Sequence, residues 1–190
     1  MKGLCSVIAL VFLGSGFVCG QNQSPLTPAT QASSIFATYP NLEAQAREYG
    51  DAFVRRDNQR LVELTYPKYI EIAGGKQNLI SVAAGTERQM EADGVQVLSW
   101  VPTEVSQLVD ESGALYAVVT MAMRMKARAA LLESYDCLIG ISVDQGEHWT
   151  FVSSSCVRLK DAFPQVAEKL ILCPQKQSVT LARPWLAPAR

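Results

Sequence analysis

Hydrophobic residues follow a helical period at the start of the central region. Leu42, Ala46, Tyr49 and Phe53 recur at steps of four, three and four residues. Positions with this spacing share one face of an α-helix, so the pattern predicts a helix with Asn41 as its N-cap. The hydrophobic face of this helix should pack against the core.

Turn-forming residues divide the next region into further helical segments. Asp57 offers a break and a new N-cap, and Pro67 interrupts the short helix that follows, because proline disfavours helical geometry at the preceding residue. Gly74 marks another break. Residues 76–92 then resume the helical period, which ends at Gly94.

Beyond Gly94 the hydrophobic period changes to two, which predicts an antiparallel sheet. The segment 114–127 shows this most clearly, since its odd positions are hydrophobic and its even positions include Tyr116, Thr120 and Arg124. One face of this strand should be buried and the other partly wet. The predicted strands cover residues 95–101, 105–109, 114–127, 131–143 and 148–157.

The turn at Asp144-Gln145-Gly146 predicts the register of the last two strands. A type I turn with Gly146 in the left-handed conformation gives a three-residue loop that pairs Val143 with Glu147. Trp149 and Phe151 then face the same side of the sheet as the hydrophobic residues opposite them. A change of one residue in the loop would reverse these faces.

Cysteine usage agrees with an oxidising compartment, because Cys137, Cys156 and Cys173 allow one disulfide. In the predicted register Cys137 and Cys156 lie on opposite faces and cannot bond. We therefore favour a Cys156–Cys173 disulfide. The other pairings stay open, since connectivity cannot be derived from sequence alone.

The N-terminal residues have the three-part pattern of an export signal. Lys2 precedes an apolar run over residues 4–18, and small or modest side chains lead to Gln21. The run is too short to span a bilayer comfortably. We expect residues 1–20 to be a signal peptide and the protein to be periplasmic or secreted. A lipid anchor at Cys19 is the less favoured alternative, because bulky residues precede it.

Composition and charge narrow the classes of partner. Without residues 1–20 the chain keeps 16 basic and 18 acidic residues, a net charge of −2. The charges are scattered, so we expect no nucleic-acid partner, and we expect no transmembrane segment in the mature chain. One histidine, His148, and no CxxC pair give a metal site little support. We therefore expect no metal and no cofactor.

The ends of the chain differ in composition from its centre. Residues 21–40 are rich in Gln, Ser, Thr and Pro and predict a flexible linker. Residues 41–173 predict one α+β domain. Residues 174–190 predict a loose Pro-rich tail.

Three helical segments followed by a long antiparallel sheet resemble the nuclear transport factor 2-like superfamily, over roughly residues 41–158. Two stretches carry the resemblance: EAQAREYGDAFVRRDNQRLVELTYP is similar to the opening helices, and DQGEHWTFV to the closing hairpin. The segment TYPKYIEIAGGK resembles exported bacterial members of unknown activity. The resemblance implies a cone-shaped, cystatin-like fold in which N-terminal helices cover a strongly curved sheet around a pocket.

A possible ligand or catalytic site follows from the predicted inward face of strand 131–143. Glu133 and Tyr135 share that face with the core, and Tyr49 of the first helix points the same way. A carboxylate base and a phenol donor in an apolar pocket could serve isomerase chemistry. Alternatively, Glu133 lies in water at the rim of the sheet, and both tyrosines are ordinary packing residues with satisfied hydroxyl groups.

We favour a non-catalytic module of the cell envelope that binds a small apolar ligand or another envelope protein. The alternative is an isomerase- or cyclase-like enzyme that uses Glu133 as general base. A third hypothesis is a homodimer formed through the outer sheet face at Tyr116, Thr120 and Arg124.

Overall fold

The computed structural model describes residues 35–128, 130–174 and 176–181, which form an α+β fold. The predicted signal peptide and most of the predicted linker lie outside the described residues. In chain order the elements are α1 (Pro40–Val54), α2 (Asn58–Glu63), α3 (Pro67–Ile72), α4 (Lys76–Ala92), β1 (Val95–Glu111), β2 (Ala114–Ala127), β3 (Ala130–Ser142), β4 (Thr150–Ser153), α5 (Leu159–Ala162) and β5 (Lys176–Leu181).

The strands form one antiparallel sheet in which β3 has neighbours along both edges. β1 pairs with β2, and β2 pairs with the whole length of β3. The opposite edge of β3 pairs with β4 at residues 138–141 and with β5 at residues 130–135. β5 lies in the segment for which we expected a loose tail. The α+β class with an antiparallel sheet is confirmed.

Two of the elements have the bounds that their period predicts, namely α4 and β2. The two strands expected before residue 110 are instead one continuous edge strand, β1. Its register against β2 shifts at three places, next to Val97, Pro102 and Val105. Such bulges bend a strand and increase its twist, and an edge strand tolerates proline because no outer neighbour needs its amide.

The helices cover one face of the sheet. The hydrophobic core that lies between them and that face is called the inner cluster. The side chains at the odd positions of β2 point into this cluster. Residues of α1 join them there, as do Trp149 just before β4 and Phe151 within it. Its largest members include Leu42, Trp100, Met121, Trp149 and Phe151. The predicted buried face of β2 is therefore confirmed.

The opposite face of the sheet is covered as well and forms the outer cluster. Tyr116 and Val118 of β2 pack there with Ile139 of β3, beneath Phe163 and Val166 of the C-terminal segment. The prediction of a partly wet face is therefore wrong for this half of the sheet, because residues 156–173 fold back over it. The same coverage buries part of the surface that we predicted to form a dimer.

The predicted dimer surface is largely occupied within the chain itself. Tyr116 and Thr120 are buried, whereas Arg124 is exposed. Tyr116 contacts Phe163 edge-on, with ring centroids 6.1 Å apart. A second copy therefore cannot reach two of the three residues that we expected it to contact.

The register between β3 and β4 differs by one residue from the prediction. Ile141 lies opposite Thr150, so Phe151 faces the inner cluster while Ile139 faces the outer one. Both Gln145 and Gly146 have positive φ. The turn is longer than a three-residue loop because side chains bridge it, as the hydrogen bonds of Ser142 and Asp144 show.

These bridging hydrogen bonds replace the backbone pattern of a tight hairpin. The Ser142 hydroxyl accepts from the Gly146 N–H at 2.9 Å and donates to Asp144 Oδ1 at 2.8 Å. Asp144 Oδ1 also accepts from the His148 backbone N–H at 2.9 Å. The Trp149 indole then donates to the Gly146 carbonyl at 3.0 Å.

A disulfide joins Cys137 to Cys173, so the prediction of a Cys156–Cys173 bond is wrong. The shifted register explains the error, because Cys137 faces the outer cluster, against which Cys173 and Cys156 both pack. The bond ties β3 to the segment that covers this face, across 36 residues of chain.

The N-terminal boundary of the packed region lies before residue 41. Ile35, Phe36 and Tyr39 pack against the inner cluster, and the Tyr39 ring contacts Trp149 edge-on at 6.1 Å. Tyr39 is the N-cap of α1 without a side-chain hydrogen bond, so the prediction of Asn41 as the cap is wrong. Proline in the first turn of α1 starts the helix instead.

Gly50 allows α1 to approach β1 closely. A Cβ atom at this position would overlap the Trp100 carbonyl oxygen and would lie 3.4 Å from the Met121 methyl group. The glycine is needed for space rather than for backbone freedom. The Trp100 backbone is thereby fixed directly beneath the helix.

We expect Gly50→Ala to lower the free energy of unfolding by about 2 kcal/mol, because the overlap forces α1 away from the sheet. Gly85→Ala is the matched control: it also lies in a helix, with no atom within 4 Å of an added Cβ. That variant should be more stable by roughly 0.5–1 kcal/mol, from helix propensity. Urea denaturation measures both changes, and equal effects of the two substitutions would contradict the argument.

Candidate ligand-binding cavity

A cavity of about 200 Å³ lies between the helices and the inner face of the sheet. Tyr49 and Phe53 of α1, the inner face of α4, and residues of β1, β2 and β3 form its walls. Most of the lining side chains are apolar. Such a space is the kind in which soluble proteins hold small molecules.

Helix α4 forms one wall through a regular stripe of side chains. Leu79, Val82, Ala83, Thr86 and Met90 line the cavity, at spacings of three, one, three and four residues. Only Met90 is buried among the 17 residues of this helix. The hydrophobic stripe of α4 therefore faces the cavity more than it packs into the core.

The sheet forms the opposite wall. Met123 and Met125 of β2, Leu132 of β3 and Trp100 of β1 line it. Met121 is fully buried core, whereas the next two methionines both belong to the inner cluster and line the cavity. Their unbranched side chains can adjust to a ligand.

Asp136 brings a carboxylate to the cavity, and the chain fixes it in place. Its Oδ2 atom accepts a hydrogen bond from the Ser153 hydroxyl at 2.7 Å, and its Oδ1 atom accepts from the Cys137 backbone N–H at 2.8 Å. Ser153 also contacts the Ser155 hydroxyl at 2.7 Å. The carboxylate is therefore partnered and oriented without a ligand.

Two tyrosines of the cavity remain neutral phenols. Burial raises the pKa of Tyr49 well above its ordinary value, and the charge of Asp136 acts in the same direction, while a hydrogen bond with the Thr65 side chain opposes it. Burial also raises the pKa of Tyr69. At neutral pH both groups can donate a hydrogen bond but cannot act as bases.

The structure does not bring the three predicted site residues together. Tyr49 lines the cavity, but the β3 residues that line it are Leu132, Ser134 and Asp136. Because side chains alternate along a strand, Glu133 and Tyr135 lie on the opposite face of β3. The prediction that they face the pocket is wrong.

The sequence of β3 explains why Asp136 was missed. Hydrophobic residues occur at both parities of this strand, since Leu131 and Ile139 are odd and Leu132 and Leu138 are even. Both faces of the sheet are covered, so the period of two gives no unique inner face. Only the register of β4 against β3 determines whether the odd or the even residues of β3 face the helices.

Trp100 lines the cavity, and its indole also carries a buried hydrogen-bond donor. Its side chain is 5% exposed, and its Nε1 atom has no hydrogen-bond partner among the described residues. Buried donors in native proteins are almost always paired, so an unpaired one requires an explanation.

The β3–β4 turn holds a second group of polar side chains, outside the cavity. Asp144, Glu147 and His148 place potential metal-ligating atoms within 4.8 Å of one another. The His148 Nδ1 atom lies 2.6 Å from Asp144 Oδ2, and the His148 side chain is exposed. These hydrogen bonds stabilise the turn, which explains the proximity without a metal.

We expect the Asp144 carboxyl to titrate in the folded protein with a pKa of about 2. Hydrogen bonds from the His148 backbone, the His148 ring and the Ser142 hydroxyl lower this pKa from the ordinary 3.8. The lowered value means that the carboxylate stabilises the turn fully above about pH 4, and that this is lost as the pH falls through 2. Carbon-detected NMR of the side-chain carboxyl group measures the titration.

The control for this titration is Glu147→Gln, which removes a neighbouring carboxyl from the same turn and should leave the Asp144 curve unchanged. Asp144→Asn should abolish the shift of the His148 backbone amide between pH 4 and pH 2. A midpoint near 4 for Asp144 would contradict the assignment of these hydrogen bonds.

Comparisons of the chain with protein-family models, with curated proteins and with solved structures find no match. Within residues 35–128, 130–174 and 176–181, no helix is long and apolar enough to cross a membrane.

Proposed function

We propose that the protein is an exported, non-catalytic binding module that holds a small, mainly apolar molecule between α4 and the inner face of the sheet. The observation that carries this proposal is the cavity of about 200 Å³ with predominantly apolar walls. An apolar cavity of roughly 150 Å³ in another protein binds benzene. The present cavity accordingly suits one aromatic ring with a short substituent.

The arrangement of the elements supports the resemblance to the nuclear transport factor 2-like superfamily. Helices α1 to α4 precede the sheet in the chain, α1 packs against β1, and the cavity lies between the helices and the sheet. In the proposed fold the bulges of β1 supply the curvature of a cone.

Export is supported by two features that do not depend on the cavity. The N-terminal sequence has the pattern of a signal peptide. The Cys137–Cys173 disulfide is of the kind that persists in oxidising compartments.

We expect Ala83→Leu to abolish binding of toluene, used as a probe, because the larger side chain occupies the cavity from α4. The fold should be retained, and cavity filling should add about 1 kcal/mol to the free energy of unfolding. Chemical shifts of the Met123 and Met125 methyl groups report binding in the wild-type protein.

Ala84→Leu is the matched control, since Ala84 is the adjacent residue of α4 and does not line the cavity. It should bind toluene as the wild-type protein does. Absence of methyl shifts in the wild-type protein at saturating toluene would contradict the proposed function.

A second candidate is the isomerase- or cyclase-like enzyme, with Asp136 as general base in place of Glu133. The specific observation is a fixed carboxylate in an apolar cavity beside the neutral phenol of Tyr49. Such a base removes a proton from carbon next to a carbonyl group, and solvent then returns a proton to the enolate.

Acetophenone in heavy water tests this candidate, since enolate formation exchanges its methyl protons for deuterium. The enzyme hypothesis predicts exchange above the buffer rate that Asp136→Asn lowers at least about 100-fold. We expect no exchange above the buffer rate, as befits a binding module. Catalysed exchange that depends on Asp136 would replace our proposal with the enzyme.

A further inference from the structure

Polar residues of the cavity lining gather around the carboxylate of Asp136. The Ser153 hydroxyl donates to Asp136 Oδ2 at 2.7 Å, and both residues line the cavity. Burial, with the charge of Asp136 as a smaller cause, raises the pKa of the Tyr49 phenol, which also hydrogen-bonds with the Thr65 side chain. The carboxylate therefore lies within electrostatic reach of a phenol of the cavity wall.

The side chain of Asp136 lies on the face of β3 that is turned toward the helices. Leu132 and Leu138, at the same parity of the strand, belong to the inner cluster. Asp136 is half-buried and keeps accessible surface. Its hydrogen bonds with Ser153 and with the Cys137 amide occupy two of the roughly four acceptor positions of a carboxylate. A ligand can thus donate to Asp136 without displacing either partner.

The negative charge of the cavity is not balanced by the residues that the structure describes. The described lining contains no lysine, arginine or histidine, and Asp136 forms no ion pair with a described basic side chain. Asp93 adds a second carboxyl group to the lining, at an exposed position. An anionic ligand would be repelled by these carboxylates, whereas a cation would be attracted.

Aromatic rings supply a second attraction for a cation. Tyr49, Phe53, Tyr69 and Trp100 line the cavity, and the Trp100 ring centroid lies 5.7 Å from that of Tyr49 and 5.1 Å from that of Phe53. The negative face of such a ring attracts a cation within about 6 Å of its centroid, and groups of rings bind ammonium ligands in this way. The aromatic wall and the carboxylate therefore favour the same charge.

We infer that the ligand is a protonated amine with an apolar body, and that its ammonium group donates a hydrogen bond to Asp136. This inference rests on the proposed function, since it names the ligand class of the same cavity. The hydroxyl oxygens of Tyr49 and Ser153 are further acceptors near the carboxylate, so the ammonium group can replace hydrogen bonds that it loses to water. Asp136 is the specificity-determining residue, and α4 and the methionines supply apolar contact.

Two isosteric probes test the inference: benzylamine, an ammonium ion at neutral pH, and ethylbenzene, which carries a methyl group in the same place. In the wild-type protein, benzylamine should shift the side-chain carboxyl carbon of Asp136, whereas ethylbenzene should leave it nearly unchanged. The carboxyl carbon of Asp144, which lies outside the cavity, is the internal control. Benzoate, an anion of similar size, should not bind.

Asp136→Asn supplies the second measurement, because it removes the charge and keeps the shape of the side chain. We expect benzylamine to bind this variant about ten-fold more weakly than the wild-type protein, with less than a two-fold change for ethylbenzene. Asp93→Asn is the matched control: it removes the exposed carboxyl group of the lining, whose charge water screens, and should change benzylamine binding less than two-fold. The carboxyl shift in the wild-type protein tests the contact even if Asp136→Asn folds poorly.

The outcomes separate this inference from the proposal on which it rests. Equal weakening of both probes by Asp136→Asn, an unshifted Asp136 carboxyl carbon with benzylamine bound, or binding of benzoate as tight as that of benzylamine would overturn the amine inference and leave the apolar binding site. Failure of benzylamine, ethylbenzene and toluene alike to bind the wild-type protein would overturn the inference and the binding function together.

Discussion

The contact between α1 and β1 at Gly50 sets the spacing on which the rest of the structure depends. Without a side chain there, the helix rests on the Trp100 backbone, and Tyr49 and Phe53 bring their rings against the indole. Glycine inside a helix costs about 1 kcal/mol relative to alanine. Each well-placed aromatic pair contributes roughly 0.5–1.5 kcal/mol beyond the area it buries, which is enough to offset that cost. One small residue thus fixes the helix, the sheet and one wall of the cavity.

The cavity results from the difference between α1 and α4. Helix α1 buries five of its residues against the sheet and the other helices, whereas α4 buries one. At the centre of its inner stripe α4 carries Ala83 and Thr86, whose short side chains leave space in front of Met123 and Met125. A helix with so few buried contacts lies at the low end of local stability within a fold. The same short side chains that create the space therefore leave α4 with few buried contacts of its own.

The hydrophobic period along the sequence predicted the bounds of helices and strands better than it predicted which face of a strand points inward. The bounds of α4 follow from an unbroken helical pattern between Gly74 and Gly94, and those of β2 follow from an unbroken alternation over residues 114–127. Local propensity decides such cases. The β3–β4 register was missed because side-chain hydrogen bonds of Ser142 and Asp144, rather than backbone turn preferences, determine the loop. That single shift reversed the faces of the strand, with consequences for the disulfide and for Asp136. Coverage of the outer face depends on long-range packing, which no local pattern encodes.

Two polar side chains of cavity-lining residues, Asp136 and Trp100, differ in their hydrogen bonding within the chain. The carboxylate of Asp136 is satisfied internally by Ser153 and by a backbone amide, so its position costs little in the absence of a ligand. The indole N–H of Trp100 is left unpaired among the described residues, so its burial weakens the unliganded fold. A phenylalanine at this position would carry no N–H and would avoid the cost of burying an unpaired donor, yet the sequence has a tryptophan there. The large ring contacts both Tyr49 and Phe53, and these contacts hold α1 against the sheet.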